Sequence, residues 1–231
     1  MRVIIWGLGY VGTVVAACLA QSGHDVIGVE LNEEKVRTFN SGRSPLKEPD
    51  LDELIGQGIA AGRLRAVTDG ELYVAEADAS LICVGTPSMA DGSPMLDYIE
   101  QVAKQIGQGL RNSQKYQVVV LRSTVFPGIS RDFLLPLLEH YSFKSAGEDF
   151  GLVVNPEFLR ETEAILDFYA PPYTVIGELD ARSGDAIASL YADVKAPLYR
   201  VALEEAELVK VVNNAFHALK VGFSNEIGRV C

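Results

Sequence analysis

Val3-Ile4-Ile5-Trp6-Gly7-Leu8-Gly9-Tyr10-Val11-Gly12 is an apolar run, a glycine-rich turn and the start of a helical stretch, and the fold is read outward from it. In a G-x-G-x-x-G between strand and helix, Gly7 permits the tight turn, Gly9 lets a ligand approach the backbone, and Gly12 lets the helix pack on the strand. The helix N-terminus, with its unpaired N–H groups, then faces a pyrophosphate. Alone the spacing is weak, because glycine turns of this kind also occur without a nucleotide. The next apolar run, Asp25-Val26-Ile27-Gly28-Val29, strengthens it. That run ends in Glu30, about 20 residues past the glycines, where a carboxylate accepts hydrogen bonds from a ribose 2′-hydroxyl. A carboxylate there repels a 2′-phosphate, so the pattern predicts NAD rather than NADP.

Beyond this unit, strands and helices alternate. Asn32 is placed to cap a helix carrying Glu33, Glu34 and Lys35 that runs to about Asn40, and Ser41-Gly42-Arg43-Ser44-Pro45 breaks it. Leu51, Leu54 and Ile55 have helical spacing, and 64–67 reads as the next strand. Residues 79–84 and 117–121 are short, nearly unbroken apolar runs, as expected of parallel strands covered on both faces. A helix over 97–111 separates them; helices near 129–140 and 181–192 then precede strands at 150–154 and 197–201. The alternation predicts an α/β fold, a doubly wound parallel sheet. From 203 to 231 there is no proline, which predicts one long helix. The expected organisation is a dinucleotide-binding domain over 1–201 and the first part of a long helix over 202–231.

With 231 residues and 48% hydrophobic composition, the chain can bury a large core and is not a disordered tail. Lys and Arg total 20 against 31 Asp and Glu, a formal charge of −11. No segment gathers basic residues into a stripe, so no nucleic-acid partner is expected. No apolar stretch approaches the roughly 18 residues of a membrane span, and the chain reads as cytoplasmic and without a membrane anchor. Cys18, Cys83 and Cys231 have neither the count nor the spacing of a disulfide framework or a zinc site, and no metal is expected. Cys18 and Cys83 read as small core residues, and Cys231 has no base beside it.

Four clusters at strand ends or on the last helix carry candidate chemistry, since ligands of open α/β sheets bind beyond the carboxyl ends of the strands. Thr86, in Val84-Gly85-Thr86-Pro87, and Thr124, in Arg122-Ser123-Thr124-Val125, offer hydroxyls toward a dinucleotide, although such turns are also ordinary loop starts. In Asn155-Pro156-Glu157-Phe158-Leu159-Arg160-Glu161, a helix after Pro156 would set Glu157 and Glu161 one turn apart. Two converging carboxylates can keep one protonated as an acid or base; a solvated helix face with Arg160 nearby fits equally. On the last helix, Lys210, Asn214, His217 and Asn225 share one side, while Leu208, Val211, Val212, Ala215, Phe216 and Leu219 fill much of the rest. Such a helix should be well buried, its polar stripe facing a ligand or a neighbouring subunit. Lys210 and Asn214 suit a developing oxyanion, and His217 a sugar or a base. The alternative is an amphipathic helix with its polar side in water.

These five ordered blocks, from the glycine loop through Lys210 to Asn225-Glu226-Ile227-Gly228, resemble the amino-terminal part of the nucleotide-sugar 6-dehydrogenases, the UDP-glucose/GDP-mannose dehydrogenase family. Phe216-His217-Ala218-Leu219-Lys220-Val221 and Val175-Ile176-Gly177-Glu178-Leu179-Asp180 resemble the branch that acts on GDP-mannose. The resemblance implies a Rossmann-like NAD-binding domain and two successive NAD-dependent oxidations at C6 of the sugar, through a cysteine thiohemiacetal and then a thioester. In the GDP-mannose branch the product, GDP-mannuronate, supplies a polysaccharide such as alginate. By position, the resemblance implies NAD contacts from Tyr10, Val11, Glu30, Lys35, Thr86 and Thr124, beside Gly7, Gly9 and Gly12. Glu161 would act with a water in thioester hydrolysis, supported by Glu157 and Thr124, while Lys210 and Asn214 would stabilise oxyanions. Glu161, Lys210, Asn214, His217 and Asn225 would contact the sugar nucleotide. The resemblance also implies a homodimer paired through the long helix. The family's nucleophilic cysteine lies in a Gly-Gly-x-Cys-x-Pro-Lys-Asp segment beyond that helix, and these 231 residues contain neither that segment nor a sugar-nucleotide domain. The expectation is a chain that binds NAD without completing the oxidation. A UDP-glucose 6-dehydrogenase and a noncatalytic NAD-binding or assembly module are the alternatives.

Overall fold

On the first strand, β1 (Arg2–Trp6), successive side chains go to opposite faces. Val3 and Ile5 enter one apolar cluster, Ile4 and Trp6 the other, and all four are buried. An unbroken apolar run has no solvent face, so both sides must be covered by helices. In the computed structural model, which describes all 231 residues, they are. The chain continues through α1 (Tyr10–Gln21), β2 (Asp25–Val29), α2 (Glu33–Asn40), α3 (Leu51–Ala60), β3 (Leu64–Val67), α4 (Glu71–Val74), β4 (Ala79–Ile82) and α5 (Asp97–Leu110). Then follow β5 (Gln117–Leu121), a π-helical turn (Ile129–Leu134) running into α6 (Leu135–Ser142), β6 (Phe150–Val154), α7 (Ala164–Tyr169), β7 (Thr174–Glu178), α8 (Ala181–Ala188), β8 (Leu198–Val201) and α9 (Leu203–Val230). The cluster around Val3 and Ile5 takes side chains from α1, α3, α7 and α8, and the one around Ile4 and Trp6 takes them from α5, α6 and the start of α9.

The eight strands form one sheet in the order β3-β2-β1-β4-β5-β6-β7-β8. The order reverses between β1 and β4, which opens a crevice beyond their carboxyl ends. The sheet departs from the all-parallel expectation at one junction. β7 pairs antiparallel with β6, Val153 opposite Glu178 and Val154 opposite Gly177, and β8 is parallel to β7. A parallel neighbour needs a crossover helix long enough to carry the chain back along the sheet. The six-residue α7 spans only about 9 Å, against about 17 Å for a five-residue strand. The chain therefore re-enters the sheet at the end it left. As a result, β8 finishes at the edge away from the crevice, and α9 runs back across β7 and β6 toward it.

Candidate functional site

Gly7, at φ +96°, turns the chain out of β1 while its N–H donates to the Val29 carbonyl at 2.8 Å. A Cβ at Gly12 would stand 1.9 Å from the Gly7 carbonyl oxygen, so the turn and α1 can be this close only with glycine there. Gly9 is different. A Cβ on it meets nothing within 4 Å, so the packing of the protein gives no reason for glycine at that position. The open space lies before the N-terminus of α1, which has no side-chain cap and no acidic residue in its first turn. Its N–H groups are thus available to an anion. A cavity of 390 Å³ at this point is lined by Gly7, Gly9, Glu30, Lys35, Val84 and Gly85 among others, at the β1/β4 reversal. Glu30 is held at its rim: one carboxylate oxygen accepts from the Asn32 N–H at 3.1 Å and the other lies 3.5 Å from Lys35 Nζ. The Asn32 side chain in turn caps α2 through the N–H groups of Glu34 and Lys35. The free space at Gly9, the uncapped helix and the fixed carboxylate fit a dinucleotide with its diphosphate at the turn and its adenosine ribose at Glu30.

A second cavity, 900 Å³, opens between the segment after β6 and α9, with Arg160, Glu161, Lys210, Asn214 and His217 on its walls. Lys210 Nζ is 2.8 Å from Glu157 Oε1, both side chains about 11% exposed, and the cation lies 5.6 Å from the Phe158 ring centroid. Between the two cavities is a third, 290 Å³, lined by Thr86, Thr124 and Asn214. The Thr86 hydroxyl donates to the Thr124 carbonyl at 2.6 Å and ties the loops after β4 and β5 together. Asn214 borders both this space and the larger cavity. Carboxylate, lysine, amide and imidazole therefore surround one space that adjoins the dinucleotide crevice.

Two expectations need correction. Glu157 and Glu161 do not share a helix face: 155–160 is irregular, 161–163 is a turn, and α7 begins only at Ala164. Glu157 accepts from the Leu159 N–H at 2.7 Å, a local bond that competes with helix formation, and Thr162 adopts φ +71°. The carboxylates consequently separate, Glu157 inward to Lys210 and Glu161 to the exposed wall of the larger cavity. Nor is α9 buried along its length. Only Leu203, Ala206, Glu207 and Lys210 are covered, whereas Leu208, Val212 and Phe216 are 48%, 54% and 58% exposed. Asn225 is exposed, lines none of the three cavities and lies about 12 Å further along the helix from His217.

Some residues that shape the site were not anticipated. Arg122 is buried and donates to the Asn155 side-chain and main-chain oxygens and to the Tyr191 hydroxyl, which fixes the exit of β6. Glu207, 2% exposed, accepts from the N–H groups of Gly128 and Ser130, each at 2.7 Å, and so anchors α9 to the loop bearing Thr124. The signal for it was present: Leu203, Ala206, Glu207 and Lys210 have the spacing of one helix face, so the covered face carries two charges that need partners. Burial pushes the thiols of Cys18 and Cys83 up to about 12, while Cys231 is exposed. No three His, Cys, Asp or Glu side chains converge as a metal site, and no helix is long and apolar enough to cross a membrane.

Comparison with known proteins matches residues 1–195 to the NAD binding domain of the UDP-glucose/GDP-mannose dehydrogenase family. The chain is 50% identical to a GDP-mannose 6-dehydrogenase of Pseudomonas putida over 100% of its length and 52% of that protein. It is 37% identical to a UDP-glucose 6-dehydrogenase of Haloferax volcanii over 100% of its length and 54% of that protein. The solved ternary complex of GDP-mannose dehydrogenase from Pseudomonas aeruginosa matches 99% of the chain with a TM-score of 0.97 and 49% identity, over 52% of that structure's chain. The chain spans about half the length of the curated relatives it matches.

Proposed function

This chain belongs to the UDP-glucose/GDP-mannose dehydrogenase family and carries its NAD-binding domain, and from that premise we propose that it is the cofactor half of an enzyme oxidising GDP-mannose at C6 to GDP-mannuronate. The observation that carries the cofactor reading is the open space at Gly9 before an uncapped helix, with Glu30 at the far rim of the same cavity. The choice of sugar nucleotide rests on 50% identity to the GDP-mannose enzyme against 37% to the UDP-glucose enzyme. Residues 1–201 would form the NAD-binding domain, and 202–231 the first part of the helix leading to a sugar-nucleotide domain.

Gly7, Gly9 and Gly12, with the first-turn N–H groups at Tyr10 and Val11, would hold the diphosphate, Glu30 and Lys35 the adenosine ribose, and Thr86 and Thr124 the nicotinamide end. Bound there, NAD supplies the hydride acceptor for both oxidations. Lys210, held 2.8 Å from Glu157 in a site largely closed to water, would present its N–H donors to an oxyanion as charge develops on the sugar, with Asn214 beside it. Glu161, facing the 900 Å³ cavity, would orient the water that hydrolyses the acyl intermediate. His217 and Asn225 would contact the nucleotide sugar. The chain alone would bind NAD without completing this chemistry, since Cys18 and Cys83 are buried and Cys231, exposed after α9, lines none of the three cavities. We further propose that the enzyme is a cytoplasmic homodimer paired through α9 and serving a polysaccharide such as alginate. Calorimetric titration tests the first step: NAD should bind and NADP should not. Extended through a cysteine segment, the protein should form NADH with GDP-mannose, and activity confined to UDP-glucose would reject the substrate assignment.

A further inference from the structure

Glu48 lies outside all three cavities, yet it joins the segments that border them. It sits in the irregular stretch between α2 and α3, between Pro45 and Pro49, whose rings restrict the backbone. The Ser44 N–H donates to Asp52 at 2.6 Å, the Leu46 N–H donates to the Ser44 hydroxyl at 2.9 Å, and Leu51 is fully buried, so this stretch is anchored on both sides of the carboxylate. One carboxylate oxygen accepts from the Ala164 N–H at 2.9 Å; the other accepts from the Thr162 N–H at 2.8 Å and from the Tyr10 hydroxyl at 2.6 Å. Tyr10 is the first residue of α1 and follows Gly9 directly. Thr162 and Ala164 follow Glu161 and open α7, which has no side-chain cap of its own. Thr162 is in the left-handed region at φ +71°, costly for a β-branched residue unless its surroundings hold it there. Burial, and then the bond to Glu48, raise the Tyr10 phenol above its ordinary value, so it remains an O–H donor.

We propose that Glu48 is a positioning residue that couples the dinucleotide loop to the turn carrying Glu161, so that a dinucleotide settling against Gly9 and Tyr10 sets the orientation of the Glu161 turn. This rests on the reading of the Gly9 loop as the cofactor site. Coupling of this kind is reciprocal: a ligand that orders the turn tightens the hold on the dinucleotide by the same factor.

Amide hydrogen exchange at Thr162 and Ala164, measured in this chain with and without NAD, tests it. Tyr10→Phe leaves both amide contacts to Glu48 in place, and it should speed exchange at both positions at least threefold; Glu48→Ala should speed it at least tenfold. NAD should slow exchange at both in the parent chain at least threefold and leave it unchanged in Glu48→Ala at concentrations where calorimetry shows that variant saturated. Glu48→Gln, which keeps the length but only one acceptor oxygen, serves if the alanine variant fails to fold: exchange at Thr162, Ala164 or both should be at least threefold faster than in the parent, and parental rates at both would overturn the proposal. Unchanged exchange in Tyr10→Phe, or the same response to NAD with and without the Glu48 carboxylate, overturns the proposal. Should the parent chain fail to bind NAD, the cofactor reading falls, and the Tyr10→Phe exchange rates still decide whether the link exists.

Discussion

At the scale of single residues, Gly9 and Gly12 are both glycine for different physical reasons, and substitution separates them. The Cβ of an alanine at 12 would collide with the Gly7 carbonyl, whereas at 9 it would enter free space from an ordinary extended conformation, φ −73° and ψ −165°. Gly12→Ala is therefore expected to cost about 2–3 kcal/mol of stability, as overpacking against fixed backbone does. Gly9→Ala should leave stability unchanged or raise it by roughly 0.5 kcal/mol, because alanine narrows the unfolded ensemble. The same change should weaken NAD binding at least tenfold, about 1.4 kcal/mol. Thermal melts and calorimetry read the two effects separately, and full NAD affinity in Gly9→Ala would remove the diphosphate from this turn.

At the scale of elements, two carboxylates hold helices in place. Removing Glu207 leaves the N–H groups of Gly128 and Ser130 without their acceptor, and Glu207→Ala should cost about 3 kcal/mol. Urea unfolding checks this, and the loss should be smaller in Glu207→Gln, which keeps one acceptor oxygen. At the start of α7, burial pushes the Asp167 carboxyl upward, but hydrogen bonds from the Arg160 side chain and N–H, with the guanidinium charge, together bring it below its ordinary value. A depressed carboxyl contributes stability that is present above the ordinary value of about 3.9 and fades as pH falls below it. The difference in melting temperature between the parent chain and Asp167→Asn should hold near neutrality and shrink below about pH 4. A difference that persists undiminished into strong acid would rule out the charge as its source.

At the scale of the molecule, Leu208, Val212, Phe216, Leu219, Phe223 and Ile227 recur every three or four residues along α9, each 48–67% exposed. An apolar stripe this long is a surface for association. Sedimentation of the chain should show self-association that Phe216→Glu abolishes, and a monomer at high concentration would count against pairing through α9. What could be read in the chain itself was local. Strands announce themselves by short, nearly unbroken apolar runs, the turn by its three spaced glycines, and the rim carboxylate by its place at the end of the next strand, all within one βαβ unit. The antiparallel return of β7, the Lys210–Glu157 pair, the separation of Glu157 from Glu161 and the Glu48 contacts at sequence separations of 114 and 116 residues were not legible. The sequence by itself determined an α/β sheet with a dinucleotide turn, because periodicity and backbone sterics act between near neighbours. Which charged groups meet beside the larger cavity was decided only by the tertiary structure, because a buried charge takes whichever partner the path of the folded chain brings within reach.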